Sequence, residues 1–347
     1  MPVPRSLPKS AACAVSVLTA LGLLAGCGSS DSSSTPNVPT VTPASAVAAP
    51  PGPAAQPAGT VVPTPANSRD LAVDGDTIAI LDPAGTTVLR YPTATPDQEP
   101  QRSATPPLTH LVGAGDGTFV GVGPKVIARI DSTGAVTTTA TTIDNPTAVA
   151  NTAAGQVLVG TAQGHLIVFG SDLKPGREID GFVGVDDITV SPKGADLPSE
   201  QVVVLDRAQS SVTPVNLDDG TLGPALRAGN GATNSTVDRY GRVLVANTRD
   251  GELLGFFGSP LVMRFRYPVA SGPYAVDYDD TRNLAWVSTT ANNEVVAYDL
   301  SGGEPVARHR FPAVAQPDRI AVDDASGTVY VLSARGGLQI APAAAVD

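Results

Sequence analysis

From Asn67 onward, short runs of β-branched and aliphatic residues alternate with Gly, Asp, Asn and Pro, and no stretch keeps a helical period. This spacing predicts an all-β chain of short strands joined by tight turns. Laid beneath one another, seven runs match: Asp70-Leu71-Ala72-Val73-Asp74, His110-Leu111-Val112, Thr147-Ala148-Val149-Ala150, Asp187-Ile188-Thr189-Val190, Ser235-Thr236-Val237-Asp238, Tyr274-Ala275-Val276-Asp277 and Ile320-Ala321-Val322-Asp323. Their shared valines fall 39, 37, 41, 47, 39 and 46 residues apart, the spacing of one four-stranded blade per repeat. After each run come a polar turn, a second strand such as Val329-Tyr330-Val331, and a third such as Val295-Val296-Ala297-Tyr298. Fourth strands are the faintest part of the pattern; Gly176 to Ile179, Val262 to Phe265 and Val306 to His309 fit the slot. The expected fold is a seven-bladed β-propeller of four-stranded blades. A sandwich of the same strands leaves the sevenfold order unexplained.

The seventh repeat ends at Gly337-Leu338-Gln339-Ile340, its third strand, with only Ala341 to Asp347 remaining. An open sheet edge there invites pairing with another chain. Gly59-Thr60-Val61-Val62-Pro63, a β-prone run just before the first blade, is therefore expected to supply the missing outer strand and join the two ends of the fold.

The first 58 residues have a different texture. Basic Arg5 and Lys9 precede an apolar run from Ala11 to Ala25, too short to span a bilayer comfortably, and the run closes in Leu24-Ala25-Gly26-Cys27. This segment resembles a bacterial lipobox, which implies removal of residues 1–26 and acylation of Cys27. Between Cys27 and Ala58 the chain is rich in Ser, Pro and Ala and poor in large apolar side chains, a composition that predicts a disordered tether. Thirty such residues span roughly 30 Å as coil and about 90 Å in polyproline form. The propeller is expected to occupy residues 59–347. Ser, Thr and Pro in the tether also suit O-glycosylation.

Composition narrows the chemistry. The other cysteine, Cys13, lies in the segment expected to be cleaved, so the mature chain has no disulfide, thiolate metal site or cysteine nucleophile. About 290 residues beyond the tether are enough to bury a core without cross-links. Net charge is −11, or −13 once Arg5 and Lys9 are removed. Without clustered Lys and Arg, nucleic acid is not an expected partner. Arginine outnumbers lysine, and Ala, Gly, Val, Thr and Pro dominate, a usage that looks like a high-GC genome.

The last repeats carry a resemblance. Val245-Ala246-Asn247, the stretch from Val287 to Asp299, Pro273-Tyr274-Ala275-Val276-Asp277 and the final Pro317 to Asp323 with Gly327 to Val331 resemble the YVTN-type repeats of YncE-like seven-bladed propellers. The likeness is clearest in the last three blades and degenerate in the second and fourth. With the lipobox, the chain looks like an exported actinobacterial lipoprotein, anchored through Cys27 to the outer face of the cell membrane or within the envelope. Repeats of this kind specify a fold better than an activity.

In propellers, the loops entering the inner strands and the hairpins between second and third strands meet on one face. Here those loops carry Asp70, His110, Asp187, Asn234, Tyr274 and Arg319, and the hairpins Arg207, Asn247, Asn292 and Arg335. Polar and irregular from blade to blade, they form the expected binding face. The first expectation is a non-catalytic binding or scaffold module for a protein, peptide or envelope glycan, with no cofactor. The alternative is a metal-dependent, lactonase-like hydrolase of the SMP-30 type. None of the six glutamates falls on an inner strand, so Asp70, Asp187 and Asn234, which share one repeat position, would have to hold calcium or magnesium. His110, His165 and His309 are scattered among blades with no metal-binding spacing, and no Gly-x-Ser-x-Gly elbow occurs. Recurrent Asp74, Asp238, Asp277 and Asp323 are expected to make Asx bonds in the turns after the inner strands. The glycines from Gly113 to Gly117 are expected in a hairpin, and Trp286, Tyr330, Phe169 and Phe265 between blades.

Overall fold

The computed structural model describes residues 38–51 and 55–345. Cys27 and the expected signal segment lie outside the described residues. The strands form seven antiparallel sheets of four, six of them in simple chain order from inner to outer strand. The inner strands are Asp70–Asp74, His110–Gly115, Pro146–Asn151, Asp187–Val190, Ala232–Val237, Pro273–Asp279 and Pro317–Asp323. Each contains one of the seven shared valines. The fold is a seven-bladed β-propeller.

Each blade is covered by a neighbour on both faces, so its middle strands are apolar on both sides. In Thr77–Leu81, Ile78, Ala79, Ile80 and Leu81 are all fully buried, whereas the outer strand Val262–Pro268 is mostly exposed. The aromatic residues fall between blades as expected. Trp286 packs against Phe311, with ring centroids 5.8 Å apart, and Tyr330 joins Ile78, Ile80 and Tyr91 at the junction of blades seven and one. Blade four keeps only a two-residue outer strand, Leu226–Arg227.

Blade seven closes the ring by pairing the two ends of the chain. Thr60–Val62 lies antiparallel to Leu338–Ala341, with Thr60 opposite Ile340 and Val62 opposite Leu338. Val62 is buried there. Gln339 secures the junction: its Nε2 donates to the carbonyls of Ala58 (2.8 Å) and Pro312 (3.1 Å), and its Oε1 accepts from the Val314 N–H. Gly59 has a positive φ of 72°, and a Cβ there would stand 2.1 Å from the Ile340 carbonyl oxygen. Only glycine fits this approach.

Residues 38–51, expected from composition to belong to a free tether, lie along the propeller. They cross the face where inner strands begin and second-to-third-strand hairpins turn, here called the loop face. The Val41 N–H donates to the Ala208 carbonyl at 2.7 Å, and Arg249 Nη2 donates to the Thr42 carbonyl at 2.6 Å. Arg207 donates to the Ala44 carbonyl, and Gln316 Nε2 to that of Val47 at 3.1 Å. Ala44 is buried. Composition alone missed this contact because it rests on main-chain carbonyls, which every sequence has.

Candidate functional site

The inner strands surround a cavity of about 520 Å³ at the channel, lined among others by Asp70, His110, Asp187, Asn234, Tyr274, Arg207 and Arg319. Seven of the ten expected face residues thus converge on one space. Of the other three, Asn292 and Arg335 stay exposed on the rim. Asn247 does not: it is fully buried, its Oδ1 accepting from the Gly231 N–H and its Nδ2 donating to Asp250 and Glu252. Its hydrogen-bonding capacity is spent on its own hairpin. A wider cleft of about 590 Å³ lies away from the channel, around Leu197 to Val202 and Pro214 to Gly223. It gathers less ionisable chemistry than the channel.

Asp70 begins the first inner strand and reaches across to the second. Its Oδ2 accepts from the Leu111 N–H at 2.9 Å and lies 3.6 Å from His110 Nδ1, while its Oδ1 lies 3.6 Å from Arg319 Nε. Burial alone would raise this carboxyl, but His110, Arg319 and the Leu111 N–H outweigh it and hold the pKa below its usual value. Arg319 is fixed from several sides: Nη2 donates to the Arg69 carbonyl at 3.0 Å and Nη1 to its neighbour Asp318's carbonyl at 2.9 Å. It ties blade seven to blade one. Burial disfavours its charge, yet Asp70 and Asp318 reverse that, leaving the guanidinium more firmly protonated than usual.

Asp187 repeats the geometry of Asp70 three blades on. One oxygen accepts from the Ile188 N–H, and the other from both the N–H and the hydroxyl of Ser235 at 2.9 Å. No guanidinium pairs with it, so burial prevails and its pKa rises. Asn234 donates through Nδ2 to the Tyr274 carbonyl at 2.9 Å. All three residues of the calcium or magnesium reading therefore already bind the neighbouring blade, and Asp70 also faces two basic side chains.

Sequence reasoning missed Asp186 and Asp277 on the cavity wall. Asp186 accepts from the Arg207 N–H at 2.8 Å, and burial raises its pKa. Asp277 was expected in a turn. Instead the inner strand of blade six runs on to Asp279, leaving Asp277 within the strand, where it accepts from the Thr236 hydroxyl at 3.2 Å and the Val322 N–H at 2.9 Å. Burial pushes it up to about 7, against these hydrogen bonds. Asp74 also departs from the local reading: it accepts from the N–H groups of Gly115 and Gly117 in blade two, so the glycine-rich hairpin cradles a carboxylate of the protein itself. Asp238 and Asp323 do bond their own turns, at Tyr240 and Ala325.

The three histidines separate. His110 lines the cavity, and His309 stacks on Trp286 with centroids 6.2 Å apart. His165 corrects the expectation of isolated histidines, because the fold brings its Nδ1 to 2.5 Å from Asp180 and 3.2 Å from Glu178 on an exposed rim of blade three. Hairpin and outer strand bring together residues far enough apart in sequence to hide the cluster.

No protein-family model and no curated protein sequence matches the chain. Its fold, however, recurs among solved structures. A streptogramin B lyase superposes with a TM-score of 0.65 at 11% identity, covering 82% of this chain and 98% of the lyase. Kuenenia stuttgartiensis hydrazine synthase gives 0.67 at 11%, with the same coverage. Staphylococcus aureus virginiamycin B lyase, in a catalytically inactive histidine-to-alanine form with quinupristin, gives 0.62 at 13%, covering 81% of this chain and 99% of that one. The likeness is one of fold.

Proposed function

We propose that this protein is a lipid-anchored, extracytoplasmic propeller that binds a protein, peptide or envelope glycan at the mouth of its channel. The observation that carries the reading is the preformed cavity of about 520 Å³, in which His110, Arg319, Arg207 and several carboxylates of unequal basicity converge. Cross-blade hydrogen bonds hold these groups in place before any ligand arrives, which lowers the ordering cost of recognition. The opposite signs of charge suit a polar ligand with its own donors and acceptors. Lipobox-like Cys27 supports placement at the membrane's outer surface.

A second reading is enzymatic, and His110 favours it. An imidazole facing a carboxylate at 3.6 Å in a cleft is a familiar arrangement for a general base, and fold neighbours include lyases. A photo-crosslinking residue at position 110 in living cells tests the first reading. It is expected to capture a discrete envelope component that the same residue at position 302, on the opposite face, does not. Identical capture from both positions would refute binding at the mouth. Turnover of a lactone or of a streptogramin B that is lost in His110→Gln would replace the binding module with an enzyme.

A further inference from the structure

We propose that His165, Glu178 and Asp180 form a zinc-binding site on the rim of blade three. The three side chains share one face of two adjoining strands. In this blade the third strand, Leu166–Phe169, pairs with the outer strand, Pro175–Ile179, and sets Leu166 opposite Ile179 and Ile167 opposite Glu178. Continued by one position, that register brings His165 opposite Asp180, and strand alternation returns Glu178, two residues before Asp180, to the same side. Leu166 and Ile179 are buried. This apolar pair fixes which way the strands face and leaves the three polar groups on the outside. The hairpin that leads to His165 is fixed as well. His165 N–H donates to Thr161 Oγ1 at 3.1 Å, and its carbonyl accepts from the Thr161 N–H at 3.0 Å. A Cβ on Gly164 would stand 2.1 Å from the Phe182 carbonyl oxygen, so glycine lets the hairpin lie against the chain that leaves the outer strand.

The charges at this point are unevenly matched. His165 Nδ1 lies 2.5 Å from Asp180 Oδ1 and 3.2 Å from Glu178 Oε1, so two carboxylate oxygens converge on one nitrogen. A single Nδ1–H is donated to one of them, here Asp180, and leaves two like charges side by side. A divalent ion between the three atoms satisfies all of them and neutralises both carboxylates. The candidate ligand atoms lie within 4.8 Å of one another. Tetrahedral zinc, with bonds of about 2.0–2.1 Å, holds its ligand atoms about 3.3 Å apart. The Glu178 separation already matches this, and the Asp180 separation widens by less than about 1 Å as zinc replaces the shared proton, which goes to solvent. An imidazole nitrogen with two carboxylates suits zinc better than calcium, which takes six or more oxygens. The exposed rim leaves the fourth position to water. None of the three residues lines the channel cavity, so this site is separate from the mouth.

The test is calorimetric titration of Zn²⁺ into the full chain in detergent near neutral pH, with Cys13→Ser and Cys27→Ser so that no thiol competes. One equivalent is expected to bind saturably and to raise the thermal midpoint by mass action. Affinity should fall roughly tenfold or more in His165→Gln and in the Glu178→Gln, Asp180→Asn double variant. Thermal unfolding of these variants without zinc reports whether the propeller is intact. Co²⁺ in place of zinc is expected to show the visible absorption of a low-coordinate ion, lost in the same variants. Absence of saturable binding, or affinity unchanged in both variants, overturns the site. Loss of binding in His110→Gln with His165→Gln unaffected would seat the ion in the channel beside Asp70 and overturn it equally.

Discussion

Four aspartates occupy one position in the repeat, directly after the shared valine, yet do three different things. Asp74 binds the next blade's glycine turn, Asp238 and Asp323 bind their own turns, and Asp277 stands on the channel wall between the strands of its neighbours. In blade six the inner strand runs two residues further before its turn, which leaves Asp277 within the strand and on the channel wall. Burial raises the pKa of Asp277 to about 7, whereas in the unfolded chain it ionises near the ordinary aspartate value of 3.8. Between those values the folded state binds the extra proton, so this group's contribution to stability declines as pH rises from about 4 to 7. Asp277→Asn is therefore expected to stabilise the fold by about 1 to 2 kcal/mol at pH 8, after allowance for water in the channel, and to leave stability at pH 4 nearly unchanged. Urea unfolding at the two pH values checks this; equal effects at both would show that ionisation of Asp277 is not the cause.

Among the elements, the Thr60–Val62 strand is the one whose role depends wholly on distant sequence. It pairs with residues near the other end of the chain, buries Val62, and is flanked by the Gly337 N–H donating to Thr64 Oγ1 at 2.9 Å. A chain beginning at Ser68 is expected to be less stable than one beginning at Ala58 by about 2 to 4 kcal/mol, from a few net hydrogen bonds and one buried valine. Denaturant midpoints of the two chains measure the difference, and coincident midpoints would exclude the closure. Asp187 and Asn234 illustrate the same dependence between elements. Because they bind Ser235 and Tyr274 of adjacent blades, their substitution loosens the ring as well as the mouth.

At the scale of the whole molecule, the segment 38–51 lies on the loop face through main-chain hydrogen bonds to the propeller, and the lipid anchor proposed at Cys27 has its own test. Cys27→Ala is expected to abolish both lipid labelling and membrane retention in cells while leaving the circular dichroism of the propeller unchanged. Retention of that variant after alkaline washing would make the uncleaved apolar run the anchor. Likeness to solved propellers at 11 to 13% identity fits a ring whose requirements are spacing and burial more than particular side chains.

Blade number, strand order and the clasp were legible along the chain because each depends on a repeated pattern of apolar and turn residues, and burial between blades enforces that pattern seven times over. Convergence of the loop residues was legible too, since it follows from the repeat. Their individual roles were not. Asn247 is buried and Asn292 exposed among the hairpin residues, His165 meets Glu178 and Asp180 across a blade, and Asp277 faces the channel because its strand runs on past it to Asp279. The seating of residues 38–51 was invisible for a related reason: it passes through backbone carbonyls and the space left by Gly231 and Gly272, whose meaning depends on what the folded chain places opposite them. Local pattern decides which strands form, while solvent access and neighbouring charge, which exist only once the ring has closed, decide what each polar side chain does.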